Sequence, residues 1–330
     1  MAKTALFYRK LKSNDVKCTL CPNNCLIKSG SIGICKVRKN TGGKLVSLVY
    51  GKPCSVNIDP IEKKPIFHLL PGSKVFSVGT VGCNLHCGHC QNWEISQSDK
   101  IFGSNMDPKE VVDEAIAKKC KSIAYTYTEP TIFYEYALDI AKLAKRKGLK
   151  NIMVTNGYIN QEPLKKLYRY IDAANVDFKA FDNDFYVKCG GRLDPVLDSI
   201  KMIQKLSWLE LTNLIIPGLN SSPRMISSMV DWIDSNLGKD VPLHLSKFFP
   251  NYKMQDIPPT DVDVLMKAYD VARNKLNHVY VGNVVTEKAE NTYCSSCGNM
   301  VIERKSYTIL KNKLSSGKCY SCGNVVKGVW

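Results

Sequence analysis

The sequence predicts an α/β protein: a partial (βα)6 TIM-like barrel with a cysteine-rich extension on either side. Three observations predict it. From about residue 74, apolar extended runs alternate with amphipathic helical runs in at least six strand-then-helix units, the pattern of a parallel sheet. Polar residues recur at the C-terminal ends of successive strands, the face where a barrel gathers its site. Eleven of the 14 cysteines fall into three tight groups, one at the first of those strand ends and two in the flanks. The expected division is 1–72, 73–285 and 286–330.

Each element has its own signal. SKVFSVGT (73–80) is a short apolar run and reads as a buried strand. DPKEVVDEAIAKK (107–119) reads as a helix with Asp107 as N-cap and Pro108 at the first helical position. KSIAYTY is a strand, and TIFYEYALDIAKLAKRKG is a helix starting near Thr131 and stopped by Gly148. NIMVTNG, AANVDFKA, WLELTNLIIPG and PLHLSKF read as strands. They alternate with the helices QEPLKKLYRY, LDPVLDSIKMIQKL, SPRMISSMVDWIDSNLG and PTDVDVLMKAYDVARNK, and HVYVGNV closes the series. DPIEKKPIFHLLPG (59–72) reads as a strap into the first strand, its Lys63, Lys64 and His68 either facing substrate or lying on the surface.

Composition narrows the function classes. The chain is 44% apolar and 23% charged, as a soluble globular protein is. No apolar run reaches the roughly 18–20 residues of a membrane helix, and the N-terminal MAKTALFYRKLKSND lacks the apolar core of a signal peptide. Cysteines at metal-site spacing imply reduced thiols and a cytoplasmic location. The net charge of +16 would suit RNA or another acidic partner, but the lysines are scattered, with the densest runs at helix C-termini where cations are favourable.

The first-strand loop, VGCNLHCGHCQNWEISQ, carries Cys83, Cys87 and Cys90 as CxxxCxxC. Three thiolates can hold three irons of a [4Fe–4S] cubane and leave the fourth iron open to a small ligand. An amino-acid moiety could chelate that iron, and a sulfonium on the same ligand could accept an electron and lose a C–S bond. The competing reading is zinc with His86 or His89 as fourth ligand.

These residues resemble the radical S-adenosylmethionine (SAM) enzymes, whose mark is CxxxCxxC after the first strand. The resemblance implies an aromatic wall at His89. It also implies a SAM amine contact from Glu129 in Thr128-Glu129-Pro130, although Tyr127 and Thr128 stand where glycines are usual. Thr155-Asn156-Gly157 and Asp177-Phe178-Lys179 resemble the TNG and DLK segments of pyruvate formate-lyase activating enzymes. By that likeness Lys179 meets the SAM carboxylate, and Asp177 meets a cation or the ribose. The Asp that precedes TNG in those enzymes is Val154 here, which argues against a bound monovalent cation.

Glu210, Thr212 and His244 lie on later strands, and His244 is a candidate to line the cavity; Arg192 could reach an anionic group. End to end, the chain resembles the AmmeMemoRadiSam-system radical SAM enzymes, a group similar to those activating enzymes. The segments that carry this likeness include CTLCPNNC, VGCNLHCGHCQNWEIS, YTYTEPTIFYEY, VDFKAF and GKCYSCGNVVKGVW. The likeness implies Memo-type and Ammecr-type proteins as candidate partners.

The flanks add two more sites. Cys294, Cys297, Cys319 and Cys322 form paired CxxCG knuckles that read as a zinc ribbon, with a rubredoxin-like iron as runner-up. Cys18, Cys21, Cys25 and Cys35 read as a second metal site, zinc or an auxiliary [4Fe–4S] cluster. Cys54, Cys120 and Cys189 read as small core residues.

The expected function is reductive cleavage of SAM, with an electron donor such as ferredoxin or flavodoxin. The resulting radical would take hydrogen from a small molecule, a peptide, a tRNA base or the glycyl backbone of a partner enzyme. The alternative from another class is a non-catalytic metal-dependent scaffold that binds RNA or protein.

Overall fold

The computed structural model describes residues 3–286 and 288–330. The N-terminal part holds two small antiparallel sheets. One joins β1 (Lys3–Thr4), β5 (Arg38–Thr41) and β6 (Lys44–Ser47). The other joins β2 (Tyr8–Lys10), β3 (Val16–Cys18) and β4 (Leu26–Ile27).

Then comes one eight-stranded sheet of β7 (Ser55–Pro60), β8 (Lys74–Gly79), β9 (Ser122–Tyr125), β10 (Lys150–Thr155), β11 (Ala173–Asp177), β12 (Trp208–Ile215), β13 (Leu243–Lys247) and β14 (Val279–Gly282). The strands lie in chain order, and β8 to β14 are all parallel. Among the described residues no ladder joins β7 to β14, so the sheet is open.

The helices are α1 (Trp93–Ser96), α2 (Pro108–Ala117), α3 (Tyr134–Arg146), α4 (Gln161–Tyr168), α5 (Asn183–Lys188), α6 (Leu193–Leu206), α7 (Pro223–Leu237) and α8 (Val262–Arg273). Every strand and helix of the expected alternation is present. Asp107 caps α2 in a full capping box with Glu110, and Gly148 follows α3 at φ +78°. The stretch after Glu129 begins as a 3-10 turn, Pro130–Phe133, before α3 takes over.

Successive strand residues point to opposite faces. Phe76, Ile123, Met153, Ala174 and Leu209 join the main core with helix residues such as Val112, Ile140, Ile200 and Ile233. Their neighbours Val75, Ala124, Ile152, Ala173 and Trp208 face the other way, into a cluster with Ile61, Ile66 and Leu69. The strap is therefore buried against the inner face. It reaches further strands by polar contacts: Asn175 on β11 donates to the Pro65 carbonyl at 2.7 Å, and Glu210 on β12 accepts the Phe67 and His68 amides at 3.0 and 2.8 Å. One short segment touching so many parallel strands requires a strongly curved sheet.

Two expectations for the strap change. Its first residues form β7, an antiparallel edge beside β8. Lys64 and His68 are not surface groups: Lys64 is 3% exposed and pairs with Asp59 at 2.7 Å, and His68 is fully buried between Tyr280 and the Lys327 carbonyl.

The N-terminal sheets share the main core through Val16, Leu20, Val37 and Leu45. The C-terminal part has β15 (Thr292–Tyr293), β16 (Met300–Lys305), β17 (Thr308–Asn312), β18 (Leu314–Ser315) and β19 (Lys318–Cys319), with a small core of Cys294, Val301, Ile302, Cys319 and Val326. Arg304 docks it on the strap, donating to the Phe67 carbonyl at 2.9 Å and lying over the Phe67 ring. No helix among the described residues is long and apolar enough to cross a membrane.

Candidate active site

The loop after β8 delivers Cys83, Cys87 and Cys90. Its path depends on Gly82 at φ +98°, where a Cβ would come within 2.6 Å of Val37 and 2.7 Å of the Cys35 carbonyl. The three sulfurs sit in different settings. Cys83 Sγ receives the Leu85 amide at 3.4 Å and the Asn156 side-chain amide at 3.9 Å. Cys90 Sγ lies 3.2 Å from the Ser96 hydroxyl on α1.

The neighbouring Cys189 thiol, with Lys179 and His89, lowers the Cys87 pKa against the cost of burial. The thiolate is the form that binds iron. Burial, then Glu129, pushes the Cys83 thiol up, a cost that metal binding would remove.

The second and third parallel strands meet at Glu129. It is 1% exposed, and its oxygens accept from the Thr131 amide at 2.9 Å, the Thr155 hydroxyl at 2.8 Å and the Asn156 amide at 2.7 Å. Burial raises its pKa, and these hydrogen bonds oppose the rise. Asn156 passes the connection on, donating to Asn84 Oδ1 at 2.8 Å beside Cys83. Tyr127 has φ +68°, a conformation that favours glycine; its hydroxyl donates to Asp59 at 2.7 Å and Lys64 lies over its ring.

Lys179 Nζ pairs with Asp177 Oδ2 at 3.1 Å. Burial disfavours its charge, but Asp177 and the nearby Cys87 and Cys189 sulfurs more than offset this and raise its pKa. The backbone around it is held by Tyr186, Asn213 and Asn220. His89 is 6% exposed with its ring 5.8 Å from that of Phe185, and its buried Nδ1 has no partner.

The structure therefore gathers Cys83, Cys87, Cys90, His89, Glu129, Thr155, Asn156, Asp177 and Lys179 at one set of strand ends. His244 belongs to another group. It bonds Glu210 Oε2 at 2.7 Å and packs against Phe67 and Tyr280, within the knot that ties the strap to the sheet. Arg192 reaches the Pro22 carbonyl at 3.4 Å, and Thr212 bonds Asn175.

Sequence reasoning missed Asn84 within the cysteine loop, and Cys189 and Ser96, which contact it at His86 and Cys90. A lone cysteine, asparagine or serine has no spacing to announce it.

The residues fit a cluster bound by three thiolates. The donors are soft sulfurs carried on one loop, and the buried His89 Nδ1 on the same loop has no hydrogen-bond partner. Among the described residues only the C-terminal quartet has all its sulfurs within 4.8 Å of one another, the spacing of a single ion; the triad is more open.

In that quartet Cys294–Cys322 and Cys297–Cys319 are each 3.7 Å apart. The two knuckles repeat one geometry: Gly298 donates to the Cys294 carbonyl and Gly323 to the Cys319 carbonyl, both at 2.9 Å, and both glycines have positive φ. By donor set and distance this quartet could hold one metal ion, zinc or iron.

Comparison with known proteins agrees. The family model of the radical SAM superfamily matches residues 77–233, which span the cysteine loop, Glu129, Thr155, Asn156, Asp177 and Lys179. Over 98% of both chains, the protein is 44% identical to an uncharacterized protein of Methanocaldococcus jannaschii. It is 24% identical to the pyruvate formate-lyase-activating enzyme of Clostridium pasteurianum, over 54% of this chain and 82% of that one. The crystal structure of Streptococcus suis SuiB matches 71% of this chain and 56% of its own with a TM-score of 0.50 and 14% identity, a likeness of fold alone. The chain belongs to the radical SAM superfamily, and it is a radical SAM enzyme homologous to the pyruvate formate-lyase activating enzymes.

Proposed function

We propose that the strand-end site binds a [4Fe–4S] cluster on Cys83, Cys87 and Cys90 and SAM beside it, in a partial barrel formed by residues 73–285. The observation that carries this is the convergence of three thiols, Glu129, Asp177 and Lys179 at the ends of consecutive parallel strands. The chemistry these groups supply when bound is one-electron cleavage of the SAM C5′–S bond, giving methionine and a 5′-deoxyadenosyl radical that takes a hydrogen atom from substrate.

The chain's own residues bind and orient. Lys179 offers a partly buried cation to the SAM carboxylate. Glu129 fixes the Thr155–Asn156 turn, and its Oε2, which accepts one hydrogen bond against two on Oε1, would meet the SAM amine. His89 would wall the cluster, backed by Phe185. Asp177 is half exposed and free to meet the ribose. His244, by its contacts, supports the strap.

The substrate is a small molecule, a peptide or a tRNA base. The second reading, a glycyl-radical activase, is favoured by the names of two relatives: the pyruvate formate-lyase-activating enzyme above, and the 4-hydroxyphenylacetate decarboxylase activating enzyme of Clostridium scatologenes, 25% identical over 34% of this chain. Under either reading a ferredoxin- or flavodoxin-type donor supplies the electron, and Memo-type and Ammecr-type proteins are the partners to try first. Residues 286–330 act as a zinc ribbon and residues 1–72 as a metal-binding extension. All 14 cysteines are free thiols, in keeping with a cytoplasmic enzyme.

The test is anaerobic reconstitution with iron and sulfide, then SAM and dithionite, with 5′-deoxyadenosine measured against Cys83→Ala. Product from the wild type alone supports the reading. Equal product from both, or none from a cluster-loaded wild type given its candidate partners, rejects it.

A further inference from the structure

We propose that Cys18, Cys21, Cys25 and Cys35 hold a second four-iron cubane, not zinc, against the back of the loop that carries the first. The four cysteines line one apolar pocket with Leu20, Ile27, Gly33 and Ile132, and none is in a disulfide. Leu20, Ile27, Cys18, Cys21, Cys35 and Ile132 are all buried, so the pocket is walled off from bulk water on most sides.

Sulfur spacing separates the two metals. Four thiolates on one zinc ion, at about 2.3 Å each, sit about 3.8 Å apart. The C-terminal quartet has that spacing, with two sulfur pairs at 3.7 Å, and serves as an internal reference. Among the described residues no three N-terminal sulfurs lie within 4.8 Å of one another, although all four face one pocket. Thiolates on a cubane radiate from four separate irons and stand farther apart than those on a single ion. The open spacing is what a cubane needs and what a single ion would have closed.

A second observation points the same way. Arg38 lines this pocket at 1% exposure, and its Nε has no hydrogen-bond acceptor. A buried N–H left without an acceptor is costly in an apolar pocket. Cluster sulfur would accept it, and the guanidinium would offset the negative charge of four thiolates. Glu135, 3.2 Å away on α3, keeps the arginine in place.

The pocket is built into the first site. Gly82, just before Cys83, packs so closely on the Cys35 carbonyl and Val37 that no side chain fits there. Asn23, from the pocket wall, donates to the Asn84 carbonyl at 2.9 Å, and Asn84 bonds Asn156, which reaches Cys83. The Cys18–Cys25 loop is also tied to the end of β10, where Asn160 donates to the Thr19 carbonyl at 2.9 Å.

The test uses the full chain, reconstituted anaerobically, with iron, acid-labile sulfide and zinc counted per chain and Mössbauer spectra recorded. The triad-free variant Cys83→Ala/Cys87→Ala/Cys90→Ala is expected to keep about four iron and about four sulfide. Adding Cys18→Ala/Cys21→Ala is expected to remove them. Wild type should then hold about twice the sulfide of the triad-free variant, so the first cluster is scored separately as the difference between them. A triad-free chain with no sulfide, whether it carries zinc, sulfide-free iron or no metal, overturns the proposal. If that variant fails to fold, the wild type alone decides: about eight sulfide supports two cubanes, and about four with two zinc per chain overturns the second.

Discussion

Replacing Glu210 with alanine should loosen the strap without touching SAM. Glu210 is fully buried and accepts four hydrogen bonds: from the Phe67 and His68 amides, from Trp208 Nε1 at 3.0 Å and from His244 Nε2 at 2.7 Å. Each buried donor left unpaired costs about 1–3 kcal/mol, and breaking a buried pair costs about 3–5 kcal/mol. Partial relaxation makes the contributions less than additive, so a loss of about 3–5 kcal/mol is expected. By the tenfold-per-1.4 kcal/mol rule, amides of the strap should then exchange about two to four orders of magnitude faster. Hydrogen exchange with mass spectrometry on peptides covering 61–72 reads this directly. His244→Ala should speed the same peptides by a smaller factor, because Glu210 keeps its other donors. SAM affinity of the folded fraction should stay unchanged in both variants. The reasoning fails if His244→Ala leaves 61–72 protected while weakening SAM binding tenfold or more, because His244 would then face the ligand.

Acid should attack the same knot first. Burial depresses the pKa of His68 to about 4 and that of His278 to about 3, from 6.5, so the unfolded chain takes up protons that the folded chain refuses. Their contribution is whole above pH 6.5 and is lost progressively as pH falls from 6.5 to about 4 for His68 and to about 3 for His278; His68 alone accounts for about 3 kcal/mol, read as a falling denaturation midpoint. Glu210 is held at about 2, its bonds to His244 outweighing burial, so its contribution goes below pH 4.5. Gly82→Ala forces a Cβ into backbone at positive φ and should cost about 1–3 kcal/mol; iron and sulfide analysis should show fewer clusters, and an unchanged content would count against the tight packing of the two cysteine loops. Lys179→Met should weaken SAM binding at least tenfold in equilibrium dialysis with iron content intact, whereas lost iron would make Lys179 a support of the thiolates. A chelator that strips the C-terminal quartet should release one metal and expose peptides of 292–326 to exchange while sulfide content stays constant.

Much of this was legible because the relevant signals are local. Strand–helix alternation, the Asp107 cap and the knuckle glycines each depend on neighbours in sequence. What escaped notice depends on distant partners. SVNIDP became an edge strand because β8 lay open beside it, not because of its own pattern. Lys64 and His68 read by type as substrate-facing or surface residues, and only Asp59, Tyr280 and the C-terminal tail offset the cost of burying them. His244 sat at a plausible strand position, but inward strand residues serve both the site and the strap below it, and Glu210 decided which. Cys189 read as a small core residue, yet its carbonyl accepts the His86 amide of the cysteine loop at 2.7 Å.

The polar contacts at the strand ends explain why the site extends beyond one loop. Cys83 is reached from β10 through Asn156, Asn156 is fixed by Glu129 from the end of β9, and Asn84 between them is gripped from the N-terminal extension by Asn23. The loop's geometry is thus set from three directions by side chains whose own backbones belong to packed elements. A cluster loop held this way is preorganised, so the cost of ordering it falls on folding rather than on metal or SAM binding. The same wiring means that damage in the N-terminal extension should register at Cys83 even though the two cysteine groups lie more than 45 residues apart in sequence. Loss of Asn23, which ligates nothing, is therefore the most economical probe of that connection: Asn23→Ala removes one hydrogen bond to the Asn84 carbonyl, worth about 1 kcal/mol. It should raise exchange in the 81–90 loop several-fold while leaving both sets of cysteines in place.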